Sequence, residues 1–374
     1  MLPRSSDSAR QWLAFRRFAA RELRRPAVDP DTLGDDPARD FLKLALLSMR
    51  ALGASTTNLR RADGMPFRLV LAYLDSAQPN AFAAERRGIH FCGVHVGLAA
   101  SFLEFALFCF SQASLFPDLG DPAHETSPPP LDGYPPGFWM REKGAALEKN
   151  LFLETASGFL PRCPHRALTA VLMTVTMIRF VWFHELCHCV NGHMGWMGSR
   201  GRHFGFTETD AREAHALAPA MHQCLELDAD QSAFHAACRL HHENMENIEG
   251  LRSVPGETSL RLCLFACFST AWIIQEYAER LNDAPRETHP LPYIRLHNLM
   301  RTLASNTLPA MGGDGTRASP AFEDMSRLSL LLPSFPSGHR LRADMGNTTL
   351  QDHLDARQDA LQALRADLRP YRFT

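Results

Sequence analysis

A long, largely apolar run at residues 167–183 ends directly in the pentapeptide HELCH at residues 184–188. A helix that is apolar on nearly every side has to be buried, so this run strongly constrains the fold. Residues four apart on a helix share one face, so the imidazoles of His184 and His188 can reach one metal ion. Glu185 lies at the edge of that face. The arrangement predicts a zinc site with Glu185 as the general base.

A catalytic zinc ion takes three protein ligands and keeps a fourth position open. In one common arrangement the third ligand is a histidine six residues after the second, but Met194 stands there. Another arrangement takes a glutamate from a later helix, and Glu226 in the segment ELDAD fits it. Asp230, four residues on, shares its helix face and can accept the outer N–H of a ligand histidine. We therefore predict one Zn²⁺ per chain, bound by His184, His188 and Glu226.

The acidic segment at residues 226–230 has a simpler interpretation as a solvated helix face. Its apolar neighbours include Cys224 and Leu227, and they favour a half-buried helix instead. A half-buried helix would direct the carboxylates of Glu226 and Asp230 into the protein, where a metal ligand is needed.

Four segments resemble, in chain order, those of gluzincin zinc metallopeptidases of the HtpX and CAAX-protease kind. PNAFA at residues 79–83 resembles the NAxA loop of that family, and HELCH corresponds to its HExxH. ELDAD is close to its ExEAD, with Asp228 in place of the middle glutamate. THPLPYIR at residues 288–295 resembles its THPP…R segment. The resemblance covers residues 65–300, and a weaker one links the chain to the soluble, Lit-type phage-exclusion peptidases.

The resemblance implies a zinc-dependent endopeptidase that hydrolyses peptide bonds in protein substrates. It makes residues 88–96 an edge strand beside the cleft, where an extended peptide can bind by strand addition. It also makes His289 and Arg295 candidates to stabilise the oxyanion of the tetrahedral intermediate. Two alternatives stay open. One is a catalytically inactive, zincin-like binding or sensor protein, and the other is a defence or toxin-type protease with one host target.

The hydrophobic patterns predict an α+β fold that is mainly helical. Its centre is a zincin-like core with a small mixed sheet, the active-site HELCH helix and a following glutamate-ligand helix. Strands are predicted at residues 67–74 and 88–96, joined by a loop. The main helices are predicted at residues 38–51, 98–111, 164–190, 219–240, 260–281 and 350–368, with a weaker one at 138–160.

The chain divides into three segments by composition. Residues 1–62 form an N-terminal helical extension, and residues 63–300 form the peptidase core. A Pro-rich surface insertion interrupts this core at residues 117–137. Residues 301–374 are predicted as a mobile loop followed by an amphipathic helix.

The overall composition limits the partners and the compartment. The net charge of −2 over 374 residues favours neither nucleic acid nor an anionic membrane. The apolar runs are too short or too interrupted for a span of about 20 residues, so no membrane span is expected. Nine cysteines without a CxxC pair favour a reducing, cytoplasmic location. The Arg-rich N-terminal segment leaves mitochondrial targeting open, although an amphipathic surface helix is the favoured interpretation.

Overall fold

Helices and one small sheet form the part of the chain that the computed structural model describes. That part comprises residues 6–28, 40–143, 158–200, 206–207, 219–252, 254–280, 290, 292–307, 319–331 and 350–374. The helices are α1 (Ser6–Arg21), α2 (Asp40–Ser55), α3 (Val96–Ser111), α4 (Trp139–Glu142), α5 (Pro164–Val190), α6 (His193–Ser199), α7 (Pro219–Asn247), α8 (Gly256–Arg280), α9 (Pro292–Thr302), α10 (Ser319–Leu331) and α11 (Leu350–Leu368). The strands are β1 (Ala27–Val28), β2 (Leu69–Leu74), β3 (Ala81–Arg86), β4 (Ile89–His95) and β5 (Phe206–Thr207). The predicted α+β, mainly helical class is confirmed.

The sheet is mixed, as predicted, with the strand order β1-β2-β4-β3-β5. β4 pairs in parallel with β2 and antiparallel with β3, so it lies in the middle of the sheet. The prediction that residues 88–96 form an edge strand is therefore wrong. A strand that is hydrogen-bonded on both sides has no backbone groups left for an added peptide strand.

Residues 81–86, predicted as part of a loop, form strand β3. β3 and β4 make a hairpin whose two turn residues, Arg87 and Gly88, have φ angles of 55° and 72°. Both angles lie in the left-handed region that two-residue hairpin turns use. Alanine is depleted in strands, so the alanine-rich sequence AFAAER does not predict one. The surrounding sheet decides the conformation here.

Helix α5 lies at the centre of the core and carries HELCH in its last turns. It begins at Pro164, where proline is favoured because its missing N–H is not needed, and its C-cap is Asn191. Both ends agree with the prediction. α5 packs against α2, α3, α7 and α8 and against strands β3 and β4. This packing explains why the helix is apolar on nearly every side.

Two helices, at Pro164–Val190 and Gly256–Ala278, are long and apolar enough to cross a membrane by length and composition alone. In each of them, 83% of the most apolar window is buried inside the protein. The core helix of a globular protein has the same properties, so this finding assigns no compartment.

The segments predicted as extensions contribute to the hydrophobic core. From α1, Trp12, Phe15 and Phe18 cluster with apolar side chains of β2, β3 and β4. Helices α2 and α11 belong to the main core, to which α11 contributes Leu361, Leu364 and Leu368.

The Pro-rich residues 117–137 form a loop with two short 3₁₀ helices, Pro122–His124 and Leu131–Gly133, and buried polar side chains fix both ends of the segment. Glu104 on α3 accepts hydrogen bonds from the backbone N–H groups of Gly137, Trp139 and Met140. At the other end Arg166, which is fully buried on α5, donates 2.9 Å hydrogen bonds to the backbone carbonyls of Phe110, Gln112, Leu115, Phe116 and Leu119.

Two further predictions meet the structure only in part. Within the predicted helix at residues 138–160, Trp139–Glu142 is helical, whereas residues 144–157 lie outside the described residues. The predicted mobile loop contains helix α10, whose Met325 and Leu328 pack into the main core. Burial of these side chains stabilises a helix that the Gly- and Pro-rich surroundings do not predict. Residues 308–318 and 332–349 lie outside the described residues.

Candidate metal centre

Three side chains from two helices converge between α5 and α7. The Nε2 atoms of His184 and His188 lie 3.0 Å apart. The carboxylate of Glu226 lies 3.2 Å from His184 Nε2 through Oε2 and 3.5 Å from His188 Nε2 through Oε1. Each of the three residues is only 1% exposed. The structure thus brings together the three residues that the sequence predicts as ligands.

The separations between the two Nε2 atoms and the nearest carboxylate oxygens are close to those around a tetrahedral zinc ion. Zn–N and Zn–O bonds of about 2.0–2.1 Å place tetrahedral ligand atoms about 3.3 Å apart. Two imidazoles and one carboxylate are also a ligand set that catalytic zinc sites use. Lone pairs this close, and removed from water, are stabilised by a cation or by a shared proton among them. The residues present therefore fit a bound zinc ion.

Asp230 holds the first histidine. Its Oδ1 lies 2.9 Å from His184 Nδ1, which is the contact expected from the helical spacing. Arg295 on α9 donates two hydrogen bonds to the same carboxylate, at 2.7 and 2.8 Å. Burial alone would raise the pKa of Asp230, but the charge of Arg295 and the hydrogen bond with His184 outweigh it and lower the pKa. Because an ionised Asp230 can only accept a hydrogen bond, His184 carries its proton on Nδ1. The lone pair of its Nε2 then faces the space between His188 and Glu226.

These contacts change the interpretation of Arg295. Its guanidinium is 4% exposed and binds Asp230 through two of its nitrogens. This geometry favours a role in positioning His184 over the predicted role in stabilising an oxyanion. The other predicted oxyanion residue, His289, lies outside the described residues.

The second histidine has a partner that the sequence analysis did not identify. His193 Nδ1 lies 2.9 Å from His188 Nδ1, and His193 Nε2 lies 3.2 Å from Asp228 Oδ2. His193 follows His188 by five positions, and side chains at that spacing do not lie on the same face of a helix. Gly192 has a φ of 87°, which ends the helical path between α5 and α6. The turn at this glycine brings His193 back beside His188. The Asn-Gly pair before His193 was the available signal.

Charge and burial act on this second histidine in a consistent way. Burial lowers the pKa of His188 well below its ordinary value, and the neighbouring Glu226 does not compensate. Burial would raise the pKa of Asp228, but His193 and Arg365 lower it overall. His188 is therefore neutral, and Asp228, which reaches it through His193, is ionised. A metal-binding histidine needs this protonation pattern.

Two more side chains complete the surroundings of the ligands. Glu185 follows His184 on α5 and is 1% exposed. His222 lies one turn before Glu226 on α7, with its Nδ1 3.9 Å from Glu226 Oε1, and its side chain is 12% exposed. His222 is not among the predicted site residues, although its i, i+4 relation to Glu226 could have indicated a place near the ligand.

Comparison of the chain with known protein families, with characterised proteins and with solved structures finds no match. The fold and the site define a mainly helical α+β protein with a buried His-His-Glu group that can hold a metal ion. The resemblance to gluzincins rests on the sequence motifs alone. Of these motifs, HELCH and ELDAD lie together in the structure, and Arg295 of the THPLPYIR segment binds Asp230 of ELDAD.

Proposed function

We propose that the chain is a zinc-dependent endopeptidase with a zincin-like core, which hydrolyses peptide bonds in protein substrates. One observation carries most of the support. The Nε2 atoms of His184 and His188 lie 3.0 Å apart, and each lies 3.2 or 3.5 Å from an oxygen of the Glu226 carboxylate. Glu185 is the next residue after the first ligand. This combination of three ligands and an adjacent carboxylate suits the hydrolysis of a peptide bond with one zinc ion.

Zinc, when bound, supplies a Lewis acid that polarises a carbonyl and makes water nucleophilic near neutral pH. In our proposal, a carboxylate oxygen of Glu185 takes a proton from the attacking water. The same oxygen then delivers that proton to the leaving amine as the C–N bond breaks, so that Glu185 ends in its starting state. Asp230 and His193 keep the two ligand imidazoles in the required orientation.

The sheet limits where an extended substrate could bind. β4 is bonded on both sides, so strand addition would use the outer edge of β2, which pairs with β1 at Tyr73 and Leu74, or that of β3, which pairs with β5 at Phe82 and Ala83. We favour β3, because it packs against α5, the helix that carries HELCH. We propose a protein or peptide partner there rather than nucleic acid, because the net charge of −2 gives no basic footprint. We also keep the proposals of a cytoplasmic location and of a chain without a membrane span. The burial of α5 and α8 supports the second of these.

Zinc content and cleavage of an unfolded protein such as casein test the proposal together. The variants are Glu185→Gln and, as a matched control, Glu243→Gln, since Glu243 is exposed on α7. We expect about one zinc per chain in all three proteins, as in a catalytic site. Cleavage should be lost in Glu185→Gln only. Wild-type protein that lacks zinc, or cleavage that survives in Glu185→Gln, would overturn the proposal.

One observation favours a second candidate, a zinc-holding binding or sensor protein without turnover. His184, Glu185, His188 and Glu226 are each 1% exposed, whereas a substrate needs access to Glu185 and to the open coordination position of the metal. This candidate predicts the same zinc content but no cleavage by wild-type protein. The experiment described above therefore separates the two.

A further inference from the structure

We infer that helix α11 is part of the metal centre, because Arg365, acting through Asp228 and His193, positions the ligand His188. This inference rests on the proposed zinc site and adds a positioning residue to it. The sequence gives no indication of this role, since Arg365 lies in a helix that shares no motif with HELCH or ELDAD.

Arg365 binds the middle of the ELDAD segment. Its Nε donates a 2.6 Å hydrogen bond to Asp228 Oδ1, and its Nη2 donates a 2.5 Å hydrogen bond to Gln231 Oε1. Arg372, which follows α11, approaches the other carboxylate oxygen of Asp228 at 3.7 Å. Asp228 is 0% exposed. Two cations therefore accompany a carboxylate that would be costly to bury alone.

The hydrogen bonds around Asp228 determine the tautomers of two histidines. Asn191 Nδ2 donates to Asp228 Oδ2 at 2.8 Å, and Arg365 can only donate, so both oxygens of Asp228 act as acceptors. His193 must then carry its proton on Nε2, which leaves its Nδ1 as an acceptor. His188 in turn carries its proton on Nδ1 and presents the Nε2 lone pair to the metal.

The chain beyond α11 also packs against the turn that carries His193. The backbone N–H of Phe373 donates to the carbonyl of Val190, the last residue of α5, at 3.0 Å. A Cβ at Gly192 would lie 2.7 Å from the carbonyl carbon of Tyr371, so only glycine allows this approach. Helix α11 and the residues after it thus hold both Asp228 and the turn beside His188.

The test compares Arg365→Met with Arg369→Met in metal-free protein reloaded with zinc. Arg369 is exposed directly after α11, so its replacement controls for the loss of one positive charge. By chelator competition, we expect zinc affinity to fall about tenfold in Arg365→Met, at the low end of the loss seen for outer partners of metal ligands. The affinity of Arg369→Met should equal that of wild type, and Arg365→Lys should recover part of the loss.

Two further measurements separate positioning from general destabilisation. Metal-free Arg365→Met should unfold at a lower temperature than metal-free Arg369→Met, because Asp228 loses one of its two cations. The Co²⁺ complexes test the positioning role directly: their ligand-field absorption should differ because the His188 ring is less well held in Arg365→Met. If Arg365→Met does not fold, the same comparison is made between Arg365→Lys and Arg369→Lys.

The outcomes distinguish this inference from the proposed function. Equal zinc affinities and identical cobalt spectra in the Arg365 and Arg369 variants would overturn the inference alone. A wild-type protein that binds no zinc would overturn both. Zinc binding that depends on Arg365, in a protein that cleaves nothing, would support the inference and overturn the peptidase.

Discussion

The Nδ1 atoms of His188 and His193 lie 2.9 Å apart, so one ring donates the proton between them and the other accepts it. His184, by contrast, meets the carboxylate of Asp230 directly. The two histidines of one HELCH motif are therefore held in different ways. One is held by a carboxylate, and the other by an imidazole that a carboxylate holds in turn. This difference leads to distinct expectations for variants on each side of the site.

Replacing the third ligand should remove the metal while the fold remains. In Glu226→Ala, one of three ligand atoms is lost, so we expect zinc affinity to fall by more than the roughly 100-fold that an outer partner can cost. Glu243→Ala, on the exposed side of the same helix, serves as the control. Zinc titration against a chelator measures both variants. Retention of wild-type affinity in Glu226→Ala would exclude Glu226 as a ligand.

Replacing Asp230 should affect metal binding and stability separately. Asp230→Asn no longer holds the His184 tautomer, so zinc affinity should fall about 10- to 100-fold. It also removes the negative charge of Asp230 from beside the buried guanidinium of Arg295, which should cost about 3–5 kcal/mol of unfolding free energy.

The double variant Asp230→Asn/Arg295→Met distinguishes the two effects. Removing the buried positive charge of Arg295 should restore much of the stability without restoring zinc affinity. Urea unfolding of the metal-free proteins and zinc titration measure the two quantities. Recovery of zinc affinity in the double variant would argue against the orienting role of Asp230.

Arg166 should be among the costly residues to replace away from the metal site. Arg166→Met leaves the carbonyls of Phe110, Gln112, Leu115, Phe116 and Leu119 without this donor. Because each buried carbonyl loses a charge-assisted hydrogen bond, we expect a loss of about 3–5 kcal/mol in unfolding free energy. Arg162 is exposed just before α5, so Arg162→Met should change the unfolding free energy by less than about 0.5 kcal/mol. Chemical denaturation compares them.

Glu104 should make the protein less stable as the pH rises. Burial raises the pKa of Glu104 from 4.5 to about 7, although four backbone N–H groups oppose the shift. Between these two pH values the folded state binds more protons at Glu104 than the unfolded state. The contribution of Glu104 to the free energy of unfolding is therefore largest below pH 4.5 and declines until pH 7 is passed. The contribution is on the order of 3 kcal/mol.

A variant without a titrating group at position 104 isolates this effect. Glu104→Gln should remove this fall from the pH profile of unfolding free energy, whereas Glu257→Gln, exposed on α8, should keep the wild-type profile. Urea unfolding of metal-free protein between about pH 4 and about pH 8 provides the measurement. Parallel profiles for wild type and Glu104→Gln would show that Glu104 does not titrate in this range.

Local geometry made much of the site predictable from the sequence. The spacing of His184 and His188, and that of Glu226 and Asp230, follows from the 3.6 residues of each helical turn. Pro164 and Asn191 marked the ends of α5 in the same local way. Any buried helix that contains these residues places them on one face, whatever surrounds it.

The strand order and the outer partners of His188 depended on the tertiary structure. β4 is hydrogen-bonded on both sides, and residues 81–86 form a strand. Neither feature follows from the local sequence, because each depends on which apolar surfaces pack against one another in the folded chain. His193 reaches His188 through the turn at Gly192, and Arg365 reaches Asp228 across 137 residues of chain. The sequence determined which atoms could bind a metal. The packing of α11 and the turn beside α5 decided which side chains hold those atoms in place, since contacts between distant segments form only where the folded chain buries them together.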